Sequence, residues 1–394
     1  MQIEGFFTSA VAAGIKYQNR LDLGLIYASE PVVTAGVFTT NKIIAAPLVL
    51  DMQRLRQGRA QAILVNSGCA NACTGEQGMA ACLETSKMLA ERLNISEEMI
   101  QVSSTGVIGE QLNLELYSKA IPPLTEGLAP DNFEDVAQAI MTTDTVSKTV
   151  YRSVTIAGKE IKFMAMAKGS GMIMPNMATM LAFVLTDAQI GFVELNKALK
   201  KAVELTFNRI TVDGDTSTND MVLVMANGKA GNPWIEDADS EEYGLFSSAL
   251  RGVLKELALM IVSDGEGATK VITVRVSGAK DQEEALQIGK TVANSNLVKT
   301  AFFGEDANWG RILAAMGRSG VKFNPDSVDI FFDDVMIVHR GLAVGKEAEE
   351  QAQSILQKKE ICLTIDLKEG HACEKVYTCD LSLDYVKINA DYRS

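Results

Sequence analysis

The segment of residues 168–181 carries the side chains best suited to covalent chemistry. Its sequence, KGSGMIMPNMATML, leads through a glycine-rich stretch and a proline to the pair Ala178 and Thr179. A threonine hydroxyl held in a strained turn can attack the preceding carbonyl, and hydrolysis of the resulting ester frees a new N-terminal threonine. That residue would supply both a nucleophile and its own amine base. Composition alone favours an ordinary loop that enters a strand, so self-cleavage between Ala178 and Thr179 is the sharper alternative.

Histidine is scarce in the chain, which limits the kinds of covalent catalysis available. The two histidines, His339 and His371, are far in sequence from any serine or cysteine in a nucleophile-like setting. A Ser-His-Asp or Cys-His site is therefore disfavoured. A covalent enzyme would need another base, and a free α-amino group, with an unperturbed pKa of roughly 7.7–8.0, would serve.

Two further loops combine carboxylates with glycine. Residues 213–220 read DGDTSTND, but the spacing lacks the glycine and glutamate that a calcium-binding EF-hand loop needs. A turn rich in Asp and Asn that shapes a site or a sheet corner is the better interpretation. Residues 264–270, DGEGATK, lack the P-loop pattern. They either project Glu266 towards a substrate or form a plain turn before a strand.

No metal site is predicted from the cysteines and histidines. Cys69 and Cys73 form a lone pair without two further zinc ligands at a recognisable spacing. His371, Cys373 and Cys379 are close in sequence but are expected to alternate across a strand. Residues 308–311, NWGR, are expected to form an ordinary helix start with a packed tryptophan.

The composition excludes several classes of protein. Of 394 residues, 47% are hydrophobic and 22% charged, which is typical of a globular enzyme and not of a disordered or fibrous chain. A net charge of −13 argues against non-specific nucleic-acid binding, which needs an excess of basic residues. Neither a signal peptide nor an apolar run of roughly 18 residues is visible. With only six cysteines, we expect a cytoplasmic protein with reduced thiols.

The segments that must position these side chains alternate between strands and helices. Strands at Lys159–Lys168 and near 180–185 flank the threonine segment. Further strands are expected near 62–65, 100–105, 221–225, 271–276, 328–338, 360–366 and 374–381, and helices near 78–93, 112–129, 131–142, 195–203, 244–261, 282–297 and 308–317. This order predicts an α/β or α+β fold with several sheets. The length suggests two or three domains, or one large domain with an appendage.

Five motifs together resemble one family, the ornithine acetyltransferases, also called arginine-biosynthesis glutamate N-acetyltransferases. They occur in the family's order and the match covers nearly the whole chain. The motifs are residues 36–47 (GVFTTNK and, three residues on, AAP), 66–72 (NSGCANA), 168–181, 212–220 (VDGDTSTND) and 308–311 (NWGR).

The resemblance implies a fold and a maturation step. Family members are sandwiches of mixed β-sheets with flanking helices, related to N-terminal-nucleophile aminopeptidases. A precursor cuts itself before the motif threonine, here Thr179, which would divide the chain into an α chain, 1–178, and a β chain, 179–394. The two chains stay associated and typically form an α2β2 heterotetramer. No metal, cofactor, nucleic acid or membrane is implied.

The resemblance also implies the reaction. Family members move acetyl from N2-acetyl-L-ornithine to L-glutamate in arginine biosynthesis, by a ping-pong mechanism through an acetyl group on the threonine. The matched positions make Thr179 the nucleophile, and the Thr105 hydroxyl and the Gly106 N–H the donors that stabilise the oxyanion.

Substrate-contacting positions of the family match six residues of this sequence. Lys168 suits a substrate α-carboxylate as a point charge, and Glu266 suits a substrate ammonium. Asn389 and Ser394 would bring the last residues of the chain to the active site, and Ser394 keeps the hydroxyl of the threonine also expected there. The full set is Thr142, Lys168, Thr179, Glu266, Asn389 and Ser394.

Two rival interpretations remain open. An N-terminal-nucleophile aminopeptidase would share the fold and the cleavage chemistry but would hydrolyse its acyl-enzyme. A binding protein without activity would stay uncleaved. The motif around Lys168 and the pair Asn389 and Ser394 favour the transferase. The sequence does not decide whether acetyl-CoA is a second acetyl donor, as it is for the bifunctional family members.

Overall fold

The computed structural model describes residues 2–174 and 180–392, which fall into two compact units. The first unit comprises residues 1–169, 176–208 and 215–261, and the second comprises 170–175, 209–214 and 262–394. An eight-stranded sheet lies in the first unit and a six-stranded sheet in the second, and both are mixed. The predicted α/β fold with mixed sheets and flanking helices is therefore confirmed. The predicted cut after residue 178 falls within the first unit and stays a prediction.

The first unit contains strands β1 to β8 and helices α1 to α6. The strands are β1 (Phe6–Val11), β2 (Leu23–Phe38), β3 (Arg59–Asn66), β4 (Ile100–Ser104), β5 (Lys148–Ile156), β6 (Lys159–Lys168), β7 (Leu181–Thr186) and β8 (Met221–Ala226). The helices are α1 (Ala46–Arg54), α2 (Gly75–Leu93), α3 (Leu114–Glu126), α4 (Phe133–Ala139), α5 (Phe192–Glu204) and α6 (Glu241–Ser263).

The centre of the first sheet is a parallel pair, β7 and β8. The strand order is β4-β3-β2-β8-β7-β6-β5, with β1 paired to β2. Every residue of β7 and β8 is buried, and both strands are almost entirely apolar, as expected for strands covered on both faces. Leu181 pairs with Met221 of β8 and with Lys168 of β6. The segment between residues 168 and 181 therefore leaves and re-enters the sheet at one end.

Alternation along β3 shows how the first unit buries both faces of its sheet. Ile63 and Val65 join a core cluster that includes residues of α4, β7 and β8. Ala62 and Leu64 join a second cluster with α2 and α3. Because successive side chains of a strand point to opposite faces, one strand supplies both cores.

The second unit contains strands β9 to β14 and helices α7 to α11. The strand order is β12-β11-β10-β13-β9-β14, in which only β13 and β9 are parallel. The strands are β9 (Val271–Ala279), β10 (Asp329–Phe332), β11 (Val335–His339), β12 (Leu342–Ala343), β13 (Glu360–Asp366) and β14 (Ala372–Cys379). The helices are α7 (Gln282–Ala293), α8 (Asn296–Phe303), α9 (Trp309–Gly317), α10 (Lys346–Leu356) and α11 (Leu383–Ala390).

Two predicted elements of the second unit are divided in the structure. The helix expected near 282–297 ends at Ala293, and a new helix begins after Ser295. Asn294 accepts a hydrogen bond from the Thr211 hydroxyl at 2.6 Å, which fixes the break. The strand region near 328–338 is a hairpin whose turn contains Asp333 with a φ of 48°. No helix in the described ranges is long and apolar enough to cross a bilayer.

Candidate active site

A tight turn after β4 carries the two predicted oxyanion donors. The Thr105 N–H donates to the Asn66 carbonyl at 3.0 Å, and the Val107 N–H donates to the Gly68 carbonyl at 3.2 Å. Gly106 lies between them with a φ of +132°, and a Cβ there would meet the Gly68 carbonyl carbon at 2.3 Å. Glycine is required because the backbone conformation is left-handed and the adjacent backbone at Gly68 leaves no room for a side chain.

The side chains of two asparagines fix the loop, residues 66–72, on which this turn rests. Asn66 accepts from the Ser104 hydroxyl at 2.7 Å and donates to the Cys69 carbonyl at 2.9 Å. Asn219 donates to the carbonyls of Ala70 and Ser104 at 2.6 and 2.9 Å. Through Asn219, the motif that ends at Asp220 is bonded to the NSGCANA motif in the interior of the protein.

Both predicted donors have a hydrogen to offer. Lys168 Nζ lies 3.5 Å from the Thr105 hydroxyl oxygen. An ammonium group can only donate, so the hydroxyl accepts this bond and keeps its own proton for another acceptor. Among the described residues, the Gly106 N–H donates no backbone hydrogen bond. The turn therefore offers two hydrogen-bond donors close to the Lys168 ammonium, and donors of this kind can stabilise an oxyanion.

A buried ionic cluster, which the sequence analysis did not identify, surrounds Lys168. Asp144 accepts from Lys148 Nζ at 2.7 Å, from the Gly169 N–H at 2.6 Å and from the Thr142 N–H at 3.0 Å. Burial opposes ionisation of Asp144, but the ammonium groups of Lys168 and Lys148 outweigh it and lower the pKa of Asp144 to about 2. An aspartate two residues after Thr142 is the signal that could have revealed this turn.

The backbone of Thr142 is held on both of its sides. Its N–H donates to Asp144, as described, and its carbonyl accepts from the Arg20 guanidinium at 3.4 Å. The Met141 carbonyl accepts from the same guanidinium at 2.5 Å. In the first unit the structure therefore links Thr105, Lys168 and, through Asp144, Thr142.

Asp220 fixes the chain where it re-enters the first sheet. The Met180 N–H donates to Asp220 Oδ1 at 3.0 Å, and the Asp220 carbonyl accepts from the Thr39 N–H at 3.0 Å. Burial raises the pKa of Asp220 well above its usual value, although the bond from Met180 and the charge of Lys168 oppose the shift. The predicted cleavage residues Ala178 and Thr179 lie outside the described residues.

In the second unit the structure brings together Glu266 and Asn389. Asn389, on α11, donates to Glu266 Oε2 at 2.7 Å. The Glu266 N–H donates to the Ser170 carbonyl at 2.8 Å. A Cβ on Gly171 would lie 2.3 Å from the Glu266 carboxyl carbon, so the carboxylate lies directly against the backbone. The sixth predicted substrate position, Ser394, is outside the described residues.

The remaining motifs have structural roles in the described residues. Asp213 accepts from the N–H groups of Met172 and Ile173 at 2.5 and 2.9 Å, which supports the turn interpretation of the acidic motif over calcium. Asn308 caps α9 through the Arg311 N–H, and Trp309 donates to Glu349, as expected for an ordinary helix start.

All six cysteines lie in the described ranges and are free thiols. Burial raises the pKa of the Cys69 thiol, which disfavours a thiolate nucleophile at this loop. Within residues 2–174 and 180–392 no group of three or more His, Cys, Asp and Glu side chains could hold a metal ion.

A family model and a relative each match nearly the whole chain, and two solved structures match about half of it. The model of the ArgJ family matches residues 7–394. The arginine biosynthesis bifunctional protein ArgJ of Desulfotalea psychrophila is 64% identical over 394 residues, with 100% of both chains covered. The crystal structure of the protein of that name from Bacillus halodurans is 44% identical, with a TM-score of 0.51 over 53% of this chain and 97% of that one. The ornithine acetyltransferase of Mycobacterium tuberculosis, solved with ornithine, is 34% identical, with a TM-score of 0.38 over 44% of this chain and 92% of that one. The chain therefore belongs to the ArgJ family, the acyltransferases of arginine biosynthesis.

Proposed function

We propose that this enzyme transfers acetyl from N2-acetyl-L-ornithine to L-glutamate through an acetyl group on Thr179. The observation that carries the proposal is the turn after β4, where the Thr105 hydroxyl and the Gly106 N–H are both available beside the Lys168 ammonium. Such a site stabilises negative charge on one oxygen, and acyl transfer develops that charge on the acetyl carbonyl. Membership of the ArgJ family supports this choice of substrates.

The first half-reaction forms an ester and releases ornithine. Thr179 Oγ attacks the acetyl carbonyl while the α-amine of Thr179 takes the hydroxyl proton. The oxyanion of the tetrahedral intermediate accepts from Thr105 and Gly106. The C–N bond then breaks, and the proton on the α-amine passes to the leaving nitrogen of ornithine.

The second half-reaction returns the acetyl group to an amine. The α-amine of glutamate attacks the ester carbonyl, the same two donors hold the oxyanion, and the Thr179 hydroxyl is restored with the proton released by glutamate. Both substrates carry an α-carboxylate, which we assign to Lys168. Glu266, oriented by its bond from Asn389, is assigned to a substrate ammonium. Thr142 and Ser394 complete the proposed contacts.

Self-cleavage between Ala178 and Thr179 is part of the proposal, because only a free α-amine makes Thr179 its own base. The match to the Bacillus halodurans structure covers 97% of that chain but 53% of this one. A relative divided near its middle would give this pattern. On denaturing electrophoresis we expect fragments of about 19 and 23 kDa, from 42.5 kDa divided in proportion to 178 and 216 residues. We propose that the fragments stay paired, in an α2β2 assembly.

The acetyl-enzyme is the step that separates this proposal from its rivals. Mass spectrometry of the heavier fragment after incubation with acetylornithine alone should show one added acetyl group on Thr179. Initial rates should give parallel double-reciprocal lines for acetylornithine against glutamate. Intersecting lines without an adduct would refute the covalent mechanism. Acetate release without glutamate would instead indicate a hydrolase of the aminopeptidase kind.

Variants of Thr179 separate cleavage from turnover. Thr179→Ser keeps a hydroxyl and should still be processed, although more slowly, because the lost methyl also restricts χ1. Thr179→Ala should remain a single chain without transferase activity. Chains 1–178 and 179–394 produced together, with alanine at 179, should bind acetylornithine and turn none over. Substantial turnover by this pair would identify another nucleophile.

Two finer points belong to the same proposal. Curated relatives are named bifunctional, and we propose that this enzyme also makes N-acetylglutamate with acetyl-CoA as donor. Activity on glutamate and acetyl-CoA without acetylornithine tests this second donor directly. The six free thiols agree with a reducing compartment, and we propose the cytoplasm.

A further inference from the structure

A buried carboxylate with no assigned substrate contact, that of Asp380, holds the loop that carries Glu266. Asp380 follows β14 and is 2% exposed. Its Oδ1 accepts from the N–H groups of Thr269 and Lys270 at 2.8 and 3.0 Å, and its Oδ2 accepts from the Thr269 hydroxyl at 2.5 Å. Because Asp380 is buried and both of its oxygens accept bonds from the loop of residues 264–270, we assign it no contact with a substrate.

The amide that binds Glu266, on Asn389, lies on a helix without a buried face. None of the eight residues of α11, all of them described, is buried. Burial therefore contributes little to the position of this helix, and contacts with neighbouring loops must supply the rest. One such contact is at its start, where a Cβ built on Gly267 would lie 2.6 Å from both the Ser382 hydroxyl oxygen and the Tyr385 nitrogen.

The positions of Glu266 and Asn389 thus depend on one junction between the loop and the helix. Asp380 holds the end of the loop, and two residues later Ser382 caps the first turn of α11. The two segments meet again where Asn389 donates to Glu266 at 2.7 Å. Only two residues separate Glu266 from Thr269, so a displacement of the loop at Asp380 would move Glu266 relative to Asn389.

We propose that Asp380 is a positioning residue that holds Glu266 against Asn389 and so fits Glu266 to the side-chain ammonium of acetylornithine. The inference rests on the proposed function for the identity of that substrate. The α-nitrogen of acetylornithine is an amide, so the side-chain nitrogen is its only ammonium. Asp380 acts on this ammonium through the backbone of the loop and through Glu266.

Ornithine and norvaline form the matched pair of ligands for a test, because norvaline is ornithine without its side-chain ammonium. Binding to the purified enzyme is measured by calorimetry. The wild type should prefer ornithine by roughly 10- to 100-fold, the range expected for a charge-assisted contact. Asp380→Ala releases the loop and should reduce the preference to within about threefold, because a carboxylate misplaced by about 1 Å no longer meets the ammonium.

Two further substitutions separate the position of the Asp380 carboxylate from its charge. Asp380→Asn keeps an oxygen for the two N–H groups and offers an N–H to the Thr269 hydroxyl, so the preference should stay within about threefold of the wild type. Asp380→Glu keeps the charge but moves the carboxylate by one methylene, so the preference should fall towards that of Asp380→Ala. These two variants carry the test if Asp380→Ala does not fold.

Asp329→Ala is the control for a general loss of stability. Asp329 is also 2% exposed and accepts from a backbone N–H, that of Arg340, at 2.8 Å. It lies on β10, three strands from β14 in the sheet. This variant should unfold more readily than the wild type, as Asp380→Ala does, and should leave the preference for ornithine unchanged.

Several outcomes would overturn the inference. A preference that survives in Asp380→Ala or in Asp380→Glu would show that the position of this carboxylate does not matter. Loss of the preference in Asp380→Asn would show that its charge acts on the ligand directly, and loss in Asp329→Ala would show an effect of stability alone. A wild type that transfers acetyl yet binds ornithine and norvaline equally would refute the inference and leave acetyl transfer standing. The expected preferences without acetyl transfer would refute the proposed function alone.

Discussion

Replacing Gly106 by alanine tests the proposed oxyanion site at a position where the backbone leaves no room for a Cβ. The new Cβ would lie 2.3, 2.5 and 2.6 Å from Gly68 C, Gly68 O and Cys69 N. Ordinary carbon contacts are about 3.5–4.0 Å, so the two loops must separate by roughly 1 Å. The obstructing atoms are backbone, so a side-chain rotation cannot relieve the contact.

The size of the effect follows from the position of the displaced group. The Gly106 N–H would move with its loop by roughly 1 Å, which is enough to disrupt catalytic geometry. Loss of one oxyanion donor lowers kcat by roughly 10²–10³. The left-handed backbone adds a conformational cost of about 1–2 kcal/mol for any residue with a Cβ. Overpacking adds about 1–3 kcal/mol to the loss of stability.

Gly109 provides the matched control in the same loop. Its φ is +89° and nothing lies within 4 Å of a Cβ built there, so Gly109→Ala has the backbone cost without the collision. We therefore expect Gly109→Ala to lose stability by about 1–2 kcal/mol and to keep nearly full kcat. The assay is steady-state acetyl transfer per processed chain, with thermal unfolding measured in parallel. A kcat for Gly106→Ala within threefold of that for Gly109→Ala would refute the assignment of this turn as the oxyanion site.

Three further changes test neighbouring contacts. Thr105→Ala should lower kcat by roughly 10²–10³ with a small change in KM, whereas Thr105→Ser should stay within about tenfold; an unchanged kcat in the alanine variant would remove Thr105 from the mechanism. Gly171→Ala should displace the Glu266 carboxylate and raise the KM for acetylornithine by roughly tenfold, with unfolding unchanged because a flexible side chain yields; an unaltered KM would contradict the role of Glu266. The pKa of Asp144 is lowered from 3.8 to about 2 on folding, so its contribution to stability is present above pH 4 and is lost as pH falls to 2. The difference in free energy of unfolding between wild type and Asp144→Asn should therefore shrink by about 2 kcal/mol between pH 5 and pH 2, and a constant difference would show that folding does not lower the pKa of Asp144.

Local patterns predicted the elements that position the site. The apolar runs of β3, β4, β7 and β8 and the alternation in Lys159–Lys168 are the strongest signals in the sequence, and the structure confirms those strands. No assignment was made for β2, which at 16 residues is longer than typical strands and contains Glu30 and Pro31 where its pairing to β3 is interrupted. Its apolar pattern is broken at that point, so periodicity alone does not identify it.

Contacts between distant parts of the chain could not be predicted from local patterns. The bond from Lys168 to Thr105 joins residues 63 positions apart, and the bonds of Asn219 to residues 70 and 104 span 149 and 115 positions. Lys148 and Asp144 each look like an ordinary charged surface residue in the sequence. Only the fold shows that they are buried together.

Cleavage at the proposed bond would have a consequence for refolding that follows from the strand order. The proposed β chain would supply the adjacent strands β8 and β7, and both flanking strands, β2 and β6, would belong to the proposed α chain. Before the cut, β6 and β7 are joined by the 12 residues 169–180, so their pairing is a short intramolecular loop closure with a small entropic cost. After the cut, two molecules must meet to rebuild the same ladder, and until they do, each leaves unpaired edges open to aggregation. The uncut Thr179→Ala chain should therefore refold at a rate independent of concentration. A processed enzyme would instead be assembled once and would persist for as long as its rate of unfolding allows.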